Sequence, residues 1–448
     1  MNRVNPQRVC ASPSSPREAP PGPPEELVTL ADVTRWRALV HPDELVFTFL
    51  SDGEKEGGHL SYRELDLRAQ AIAAELQACG AEGQRVVLLF PPGLDYVAAV
   101  FGCFYAGALA VPAYPPDPFR LHRTFPRLQA IWNDAQAGFV LTLEEVLAYA
   151  RTHLQRLDHL QSLTLESIPT ARAAEWRPTS FAADKIALIQ YTSGSTGSPR
   201  GVILNHANIM HNLKSMHRVD TEGVGGVCWL PPYHDMGLIG GILQAAYSGR
   251  RSVLMSPLAF IQRPARWLRA MSHYRGRTSG GPNFAYELCV EKVSPEECEG
   301  LDLSSWTGAV SGAETVRAET IERFVEKFAP CGFRREAFLP GYGLAESVLM
   351  VAGGRREAPP VIRTFSATAL LKNRVEAVDE RDAGGTPCRR LAGCGQPLSG
   401  GEIAIVDPKT RRSLGAGRVG EIWVRSGSVG QGYWNRPEET EAIFHARI

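Results

Sequence analysis

Residues 191–201 hold three glycines, five Ser/Thr hydroxyls and one guanidinium: Tyr191, Thr192, Ser193, Gly194, Ser195, Thr196, Gly197, Ser198, Pro199, Arg200 and Gly201. Glycines let successive N–H groups converge on an anion, hydroxyls add rotatable donors, and Arg200 carries a charge that does not titrate. The chemistry of such a turn is phosphate binding. A Ser/Gly linker has a similar composition, but here the turn is pinned at both ends. Ile186-Ala187-Leu188-Ile189-Gln190 reads as a buried strand going in, and Val202-Ile203-Leu204 as another coming out. A turn between two strands also differs from the G-x-x-x-x-G-K-[ST] loop, which opens a helix and whose residue order is missing.

Three further constellations could do chemistry. His234 and Asp235 stand before an apolar, glycine-rich run, Met236-Gly237-Leu238-Ile239-Gly240-Gly241, a composition suited to a tunnel mouth with one polar gate. A metal pair lacks a third ligand nearby, and a helix start capped by Asp235 is the plain structural alternative. Ser311-Gly312-Ala313-Glu314 and Pro340-Gly341-Tyr342-Gly343-Leu344-Ala345-Glu346 complete the set. An aromatic face stacks on a purine, glycines permit close backbone approach, and a carboxylate is a hard ligand for magnesium. Gly-Tyr-Gly alone would be a structural turn; three such motifs together argue for a nucleotide.

In this order the motifs resemble those of the acyl-adenylate-forming superfamily, and residues 234–241 are similar to the signature of its fatty acyl-AMP ligases. The resemblance runs from Leu27 to Phe444. It implies an α/β fold, the superfamily's N-terminal domain, with two wound α/β subdomains and a small distorted β-barrel subdomain. It also implies ATP and Mg2+ as cofactors, and attack of a fatty carboxylate on the α-phosphate. In that resemblance Thr192 to Gly197 and Arg200 serve the phosphates, and Tyr342 lies against the adenine. The stretches Ser311–Glu314 and Gly341–Ala345 hold the adenylate, Glu346 holds magnesium, and His234 meets the carboxylate or phosphate edge. Met236 to Gly240, with Asn283 and Phe284, line the acyl pocket. Two departures are visible. Arg200 stands where Lys is usual, a planar fork in place of a point charge. Ala345 replaces a common Thr, as it does in fatty acyl-AMP ligases, removing one hydroxyl contact.

The resemblance further implies transfer of the acyl group to an acyl carrier protein, or to a carrier domain of a polyketide or peptide synthetase. The segment 353–385 matches a family insertion thought to deny the intermediate to coenzyme A; a surface excursion is the other reading of so long a loop. An acyl- or aryl-CoA synthetase and a non-catalytic lipid or nucleotide binder remain alternatives. Family members continue beyond the equivalent of Ile448 into a small mobile domain with a catalytic Lys. The expectation is therefore of a large N-terminal part that binds acyl-adenylate but turns over poorly alone.

The elements that must position these groups are partly legible. At roughly 150 residues per domain, 448 residues suggest about three units. The expected division is a disordered tail (1–24), α/β units at 25–184 and 185–352, the insertion, and a β-rich unit at 386–448. Ser61 and Glu64 form a capping box for a helix with Leu65, Ala69, Ile72 and Leu76 on one face, ended by Gly80. Tyr96 to Tyr114 carries no charge, yet Gly102, Gly107 and Pro112 divide it into a helix (Leu94 to Ala106) and a strand (Ala108 to Val111). With Val86–Phe90 before it, the pattern is a buried βαβ unit and not a membrane span. Glu402–Val406 and Gly420–Arg425 read as short strands.

Lys plus Arg equals Asp plus Glu at 48 each, so nothing marks a nucleic-acid partner. Nine cysteines without a C-x-x-C pair suit reduced thiols and a cytoplasmic protein. His206, His211 and His217 lack a zinc spacing. No signal peptide is visible in the polar, Pro- and Ser-rich start.

Overall fold

A computed structural model describes residues 22–115, 121–153, 160–179, 182–193, 199–219, 225–379 and 387–448. The Ser61 hydroxyl accepts from the Glu64 amide at 3.2 Å, and the Glu64 carboxylate accepts from the Ser61 amide at 2.7 Å. These bonds satisfy amides at the start of the helix Tyr62–Ala78, which ends before Gly80 at φ +75°. Its apolar face packs on the helix Leu94–Ala106, whose residues from Tyr96 onward are all buried. The contact is close: a Cβ at Gly102 would lie 2.4 Å from Ile72 Cγ2. Gly107, at φ +71°, ends that helix and the strand Leu109–Ala113 comes next, two residues longer at its end than the sequence suggested. The charge-free stretch is thus the inside of a βαβ unit. Among the described residues no helix is long and apolar enough to cross a membrane.

That unit lies in a seven-stranded sheet, ordered Gly432–Tyr433, Pro199–Asn205, Ile186–Ser193, Leu109–Ala113, Arg85–Leu89, Phe139–Thr142 and Gln161–Thr164. The strands Ile186–Ser193 and Pro199–Asn205 are antiparallel and in register to Ser193 opposite Pro199, so the hydroxyl-rich segment is flanked by two paired strands, as expected. Leu188 pairs with Ala110, so this sheet crosses the 184/185 boundary expected between two units. A four-stranded sheet crosses it too, because Leu45–Leu50 pairs in parallel with Ser252–Met255. Strand and helix alternation along a chain reports local order, not which sheet a strand joins.

A five-stranded sheet carries Thr278–Gly281, Gly308–Ser311 and Phe338–Gly343 in parallel, with Met350–Gly353 and Gln396–Pro397 beyond them. Its back rests on an aromatic core in which Tyr286 meets Trp267, Phe324 and Phe338 at centroid distances of 5.0 to 5.5 Å. Past this sheet the described residues form two antiparallel ribbons, Ile362–Ser366 with Cys388–Ala392 and Gly401–Val406 with Glu421–Ser426. The first ribbon ties the expected insertion to the segment after it, across the 385/386 boundary.

Candidate active site

Parallel strands deliver their C-terminal ends to one edge of a sheet, and ligands of wound α/β folds sit there. Here that edge presents Gly312 and Ala313 beside Gly341, Tyr342, Gly343, Leu344, Ala345 and Glu346, all lining a cavity of about 590 Å³. The hairpin of Ile186–Ser193 and Pro199–Asn205 contributes Thr192 and Arg200 to the same cavity, and the segment before the next helix contributes His234, Asp235 and Met236. Gly194, Ser195, Thr196 and Gly197 lie outside the described residues, and Ser193 is placed by its strand register only. Gly343 shows why this edge tolerates no side chain at one position. A Cβ there would stand 2.0 Å from the Leu349 carbonyl oxygen.

Glu346 is held from two sides. Tyr433 Oη donates to its Oε1 at 2.6 Å, and its backbone carbonyl accepts from the Gly430 amide at 2.8 Å. Burial, helped by the Glu346 bond, pushes the Tyr433 phenol well above its ordinary range, so it stays a donor. Arg200 pairs through Nε with Glu439 Oε2 at 3.0 Å and lies over the Tyr433 ring at 5.5 Å. Tyr433 and Glu439 are functional candidates the motif reading did not single out. They sit at the far end of the chain, in an ordinary-looking Gly-Tyr-Trp run and a charged helix, Pro437–Ile443.

The hairpin is anchored at its base by Asp134. Tyr191 Oη donates to Asp134 Oδ2 at 2.7 Å, Arg436 Nη2 lies 3.4 Å from Oδ1, and Asn435 Nδ2 donates to the Asp134 carbonyl at 3.0 Å. Arg436 also donates to the Pro199 carbonyl, at 3.4 Å.

His234 Nδ1 lies 2.7 Å from Asp235 Oδ1, and that bond holds the imidazolium above its ordinary range against the cost of burial. Asp235 also caps the following helix, accepting from the Met236 amide at 2.6 Å. The cap and the polar gate are therefore one feature. Among the described residues no group of three His, Cys, Asp or Glu could hold a metal ion.

The helix Met236–Leu243 is a π-helix. Met236, Gly240 and Gly241 face the cavity, whereas Leu238 and Ile239 are fully buried in the core behind it. Gly237 is likewise off the cavity, and a Cβ there would stand 2.1 Å from the Pro231 carbonyl oxygen. Asn283 is also off the cavity, donating to the Thr315 carbonyl and accepting from the Arg317 amide, each at 2.9 Å. Phe284 is half exposed, edge-on to Trp229. Thr278, Ser279 and Gly280 line the wall in their place. Ser311 is buried in its strand and Glu314 is exposed, both outside the cavity lining. In a uniformly apolar run, composition does not say which face meets the core and which the cavity.

The family description "AMP-binding enzyme" matches residues 34–434. This chain belongs to the AMP-binding enzymes. As such it is an adenylate-forming ligase that uses ATP. This AMP-binding enzyme is 43% identical over 433 residues to the medium-chain-fatty-acid–[acyl-carrier-protein] ligase JamA of Moorena producens, covering 94% of this chain and 72% of that protein. A 4-hydroxyphenylalkanoate adenylyltransferase of Mycobacterium marinum is 37% identical over 436 residues, at 94% and 68% coverage. The crystal structure of the fatty acyl-adenylate ligase of L. pneumophila, with acyl adenylate and pyrophosphate, superimposes with a TM-score of 0.86 at 42% identity. It covers 93% of this chain and 72% of that one.

Proposed function

We propose that this AMP-binding enzyme activates a fatty acid as its acyl-adenylate and passes the acyl group to the phosphopantetheine thiol of an acyl carrier protein. One observation carries the reading: a single cavity joins a polar end, with Glu346, Arg200 and His234, to an apolar wall that includes Leu230, Met236 and Leu339. The relatives named for fatty-acid and acyl-carrier-protein ligation support it.

In the first step a carboxylate oxygen bonds to the α-phosphorus of ATP, and the bond to the β-phosphate oxygen breaks as pyrophosphate leaves with the electron pair. In the second, a thiol sulfur attacks the acyl carbon and AMP departs. No protein nucleophile is needed. Carboxylate and phosphate repel, so rate comes from neutralised charge and aligned attack. We assign Thr192 to Gly197 and Arg200 to the phosphates, Tyr342 to the adenine face, and His234, paired with Asp235, to the carboxylate edge. Glu346 fits a magnesium ligand, since it lines the cavity and Tyr433 orients one of its carboxylate oxygens. Bound there, the ion would supply positive charge to the phosphates. The segment 353–385 is assigned to withholding the intermediate from coenzyme A, and a carrier domain of a polyketide or peptide synthetase is the acceptor class we favour. Use of ATP favours the cytoplasm as its location.

The test supplies ATP with a fatty acid, then adds a phosphopantetheinylated carrier protein or free coenzyme A. Pyrophosphate release and acyl-carrier formation are expected, with little acyl-CoA. Equal loading of coenzyme A would establish the synthetase reading instead. Binding without pyrophosphate would establish a sensor.

A further inference from the structure

A column of aromatic rings leads from the core to the rim of the polar gate. Tyr96, fully buried, donates through Oη to the Pro232 carbonyl at 2.8 Å and meets the Tyr233 ring edge-on at 6.0 Å. Tyr233, the residue before His234, is pinned by Gln190, whose Nε2 donates to its carbonyl at 2.9 Å. Gln190 belongs to the first strand of the hairpin that carries Thr192 and Arg200. Tyr114 lies against Tyr233 with ring centroids 4.3 Å apart, and the Arg127 guanidinium lies over Tyr114 at 5.4 Å. The column therefore ends in a cation at the surface.

Arg127 is exposed, and among the described residues its N–H groups meet no carboxylate or carbonyl. Stacking occupies the face of a guanidinium and leaves its edge, with the donors, open to oxygen. Asp235, the acid of this gate, is already bonded to His234 and to the Met236 amide. The Asp235 bond raises the His234 pKa, while burial and the Arg127 charge act to lower it, so that charge reaches the gate. The helix that carries Arg127, Leu121–Ala135, also meets the hairpin, through the bond from Tyr191 to Asp134. Arg127 and Asp134 are about two turns apart, which places them on one face of the helix, about 10 Å from each other along its axis. A cation stacked in place on the face that holds the hairpin suits an anion delivered beside the hairpin. The β- and γ-phosphates supply the charge by which ATP exceeds AMP.

Resting on the assignment of that hairpin to the phosphates, we infer that Arg127 is a further phosphate-binding residue, which holds the β- and γ-phosphates of ATP and then the departing pyrophosphate. Tyr114 is the platform that positions it. A cation on the leaving side stabilises the charge that moves onto pyrophosphate as its bond to the α-phosphorus breaks. Lysine would keep the charge but lose the planar fork.

Calorimetry on the full chain tests this without turnover, with magnesium present and at low ionic strength, where an exposed charge is least screened. The ligands are ATP, inorganic pyrophosphate, AMP and adenosine sulfamate, of which the last two lack the outer phosphates. Arg127→Gln is expected to weaken ATP and pyrophosphate about fivefold to tenfold and to leave AMP and adenosine sulfamate within about twofold. Arg127→Lys should recover part of the loss. Tyr114→Leu, which removes the platform but not the charge, should weaken the same two ligands by less. Equal weakening of all four ligands by Arg127→Gln, or of none, would overturn the inference. So would unchanged affinity for ATP and pyrophosphate with slower loading of a phosphopantetheinylated carrier protein, which would give Arg127 to the carrier's phosphodiester. Native protein that bound AMP but neither ATP nor pyrophosphate would overturn the phosphate assignment of the hairpin and this inference with it.

Discussion

The phenol of Tyr433 and the carboxylate of Glu346 are joined by a 2.6 Å hydrogen bond, although one residue ends the sheet's last short strand and the other lies just after the Gly-Tyr-Gly turn. The same Tyr433 ring lies beneath Arg200. One aromatic residue therefore orients both the anionic and the cationic member of the polar end. Tyr433→Phe keeps the ring but frees the carboxylate. Removing one such bond costs about 1 kcal/mol. A fall of about fivefold to tenfold in kcat/KM for ATP is expected, with a raised magnesium requirement and nearly unchanged urea unfolding. Magnesium titrations of pyrophosphate release check it, and identical curves would remove Tyr433 from the site.

Asp134 holds the base of the hairpin to which we assign the phosphates, through Tyr191 and Arg436, so its loss acts at a distance from that assigned site. Asp134→Ala is expected to cost about 1–2 kcal/mol in unfolding free energy and to raise KM for ATP more than it lowers kcat. A purely global effect would lower stability while leaving the ratio of KM to kcat changes near one.

Two histidines give opposite pH dependences. Bonding to Asp235 raises the pKa of His234 above its ordinary 6.5. Its contribution to stability is therefore complete below pH 6.5 and fades as pH rises through the raised value. Asp235→Asn should abolish that loss on the alkaline side. Burial lowers the pKa of His206 from 6.5 to about 4. The stability tied to its neutral form is complete above pH 6.5 and is lost as pH falls toward 4, by up to about 3 kcal/mol. His206→Gln should flatten unfolding free energy across that acid window. Denaturant melts from pH 4 to 9 separate the two.

Gly343→Ala places a methyl 2.0 Å from the Leu349 carbonyl oxygen, a backbone atom that cannot rotate away. The turn carrying Tyr342 and Glu346 must shift. Loss of adenosine sulfamate binding by at least about tenfold is expected, with a stability cost of about 2–4 kcal/mol. Binding within twofold of the native protein would show that the turn has slack.

Much of this molecule is legible from local chemistry alone. The Ser61–Glu64 capping box, the Leu94–Ala106 helix after its strand, and the pairing of the strands Ile186–Ser193 and Pro199–Asn205 each depend on near neighbours, and each is where the residues place it. Motif order also singled out Thr192, Arg200, His234, Tyr342 and Glu346, which meet at one cavity. Other relationships are decided only by the folded chain. Whether Leu238 faces a lipid or the core depends on what packs behind a uniformly apolar helix. Whether Asn283 meets substrate or backbone depends on where Thr315 and Arg317 arrive. Tyr433, Glu439 and Asp134 gain their places through contacts with residues remote in sequence. Periodicity and turn chemistry act over a few residues, whereas these partnerships exist because packed sheets bring distant strand ends to a common edge.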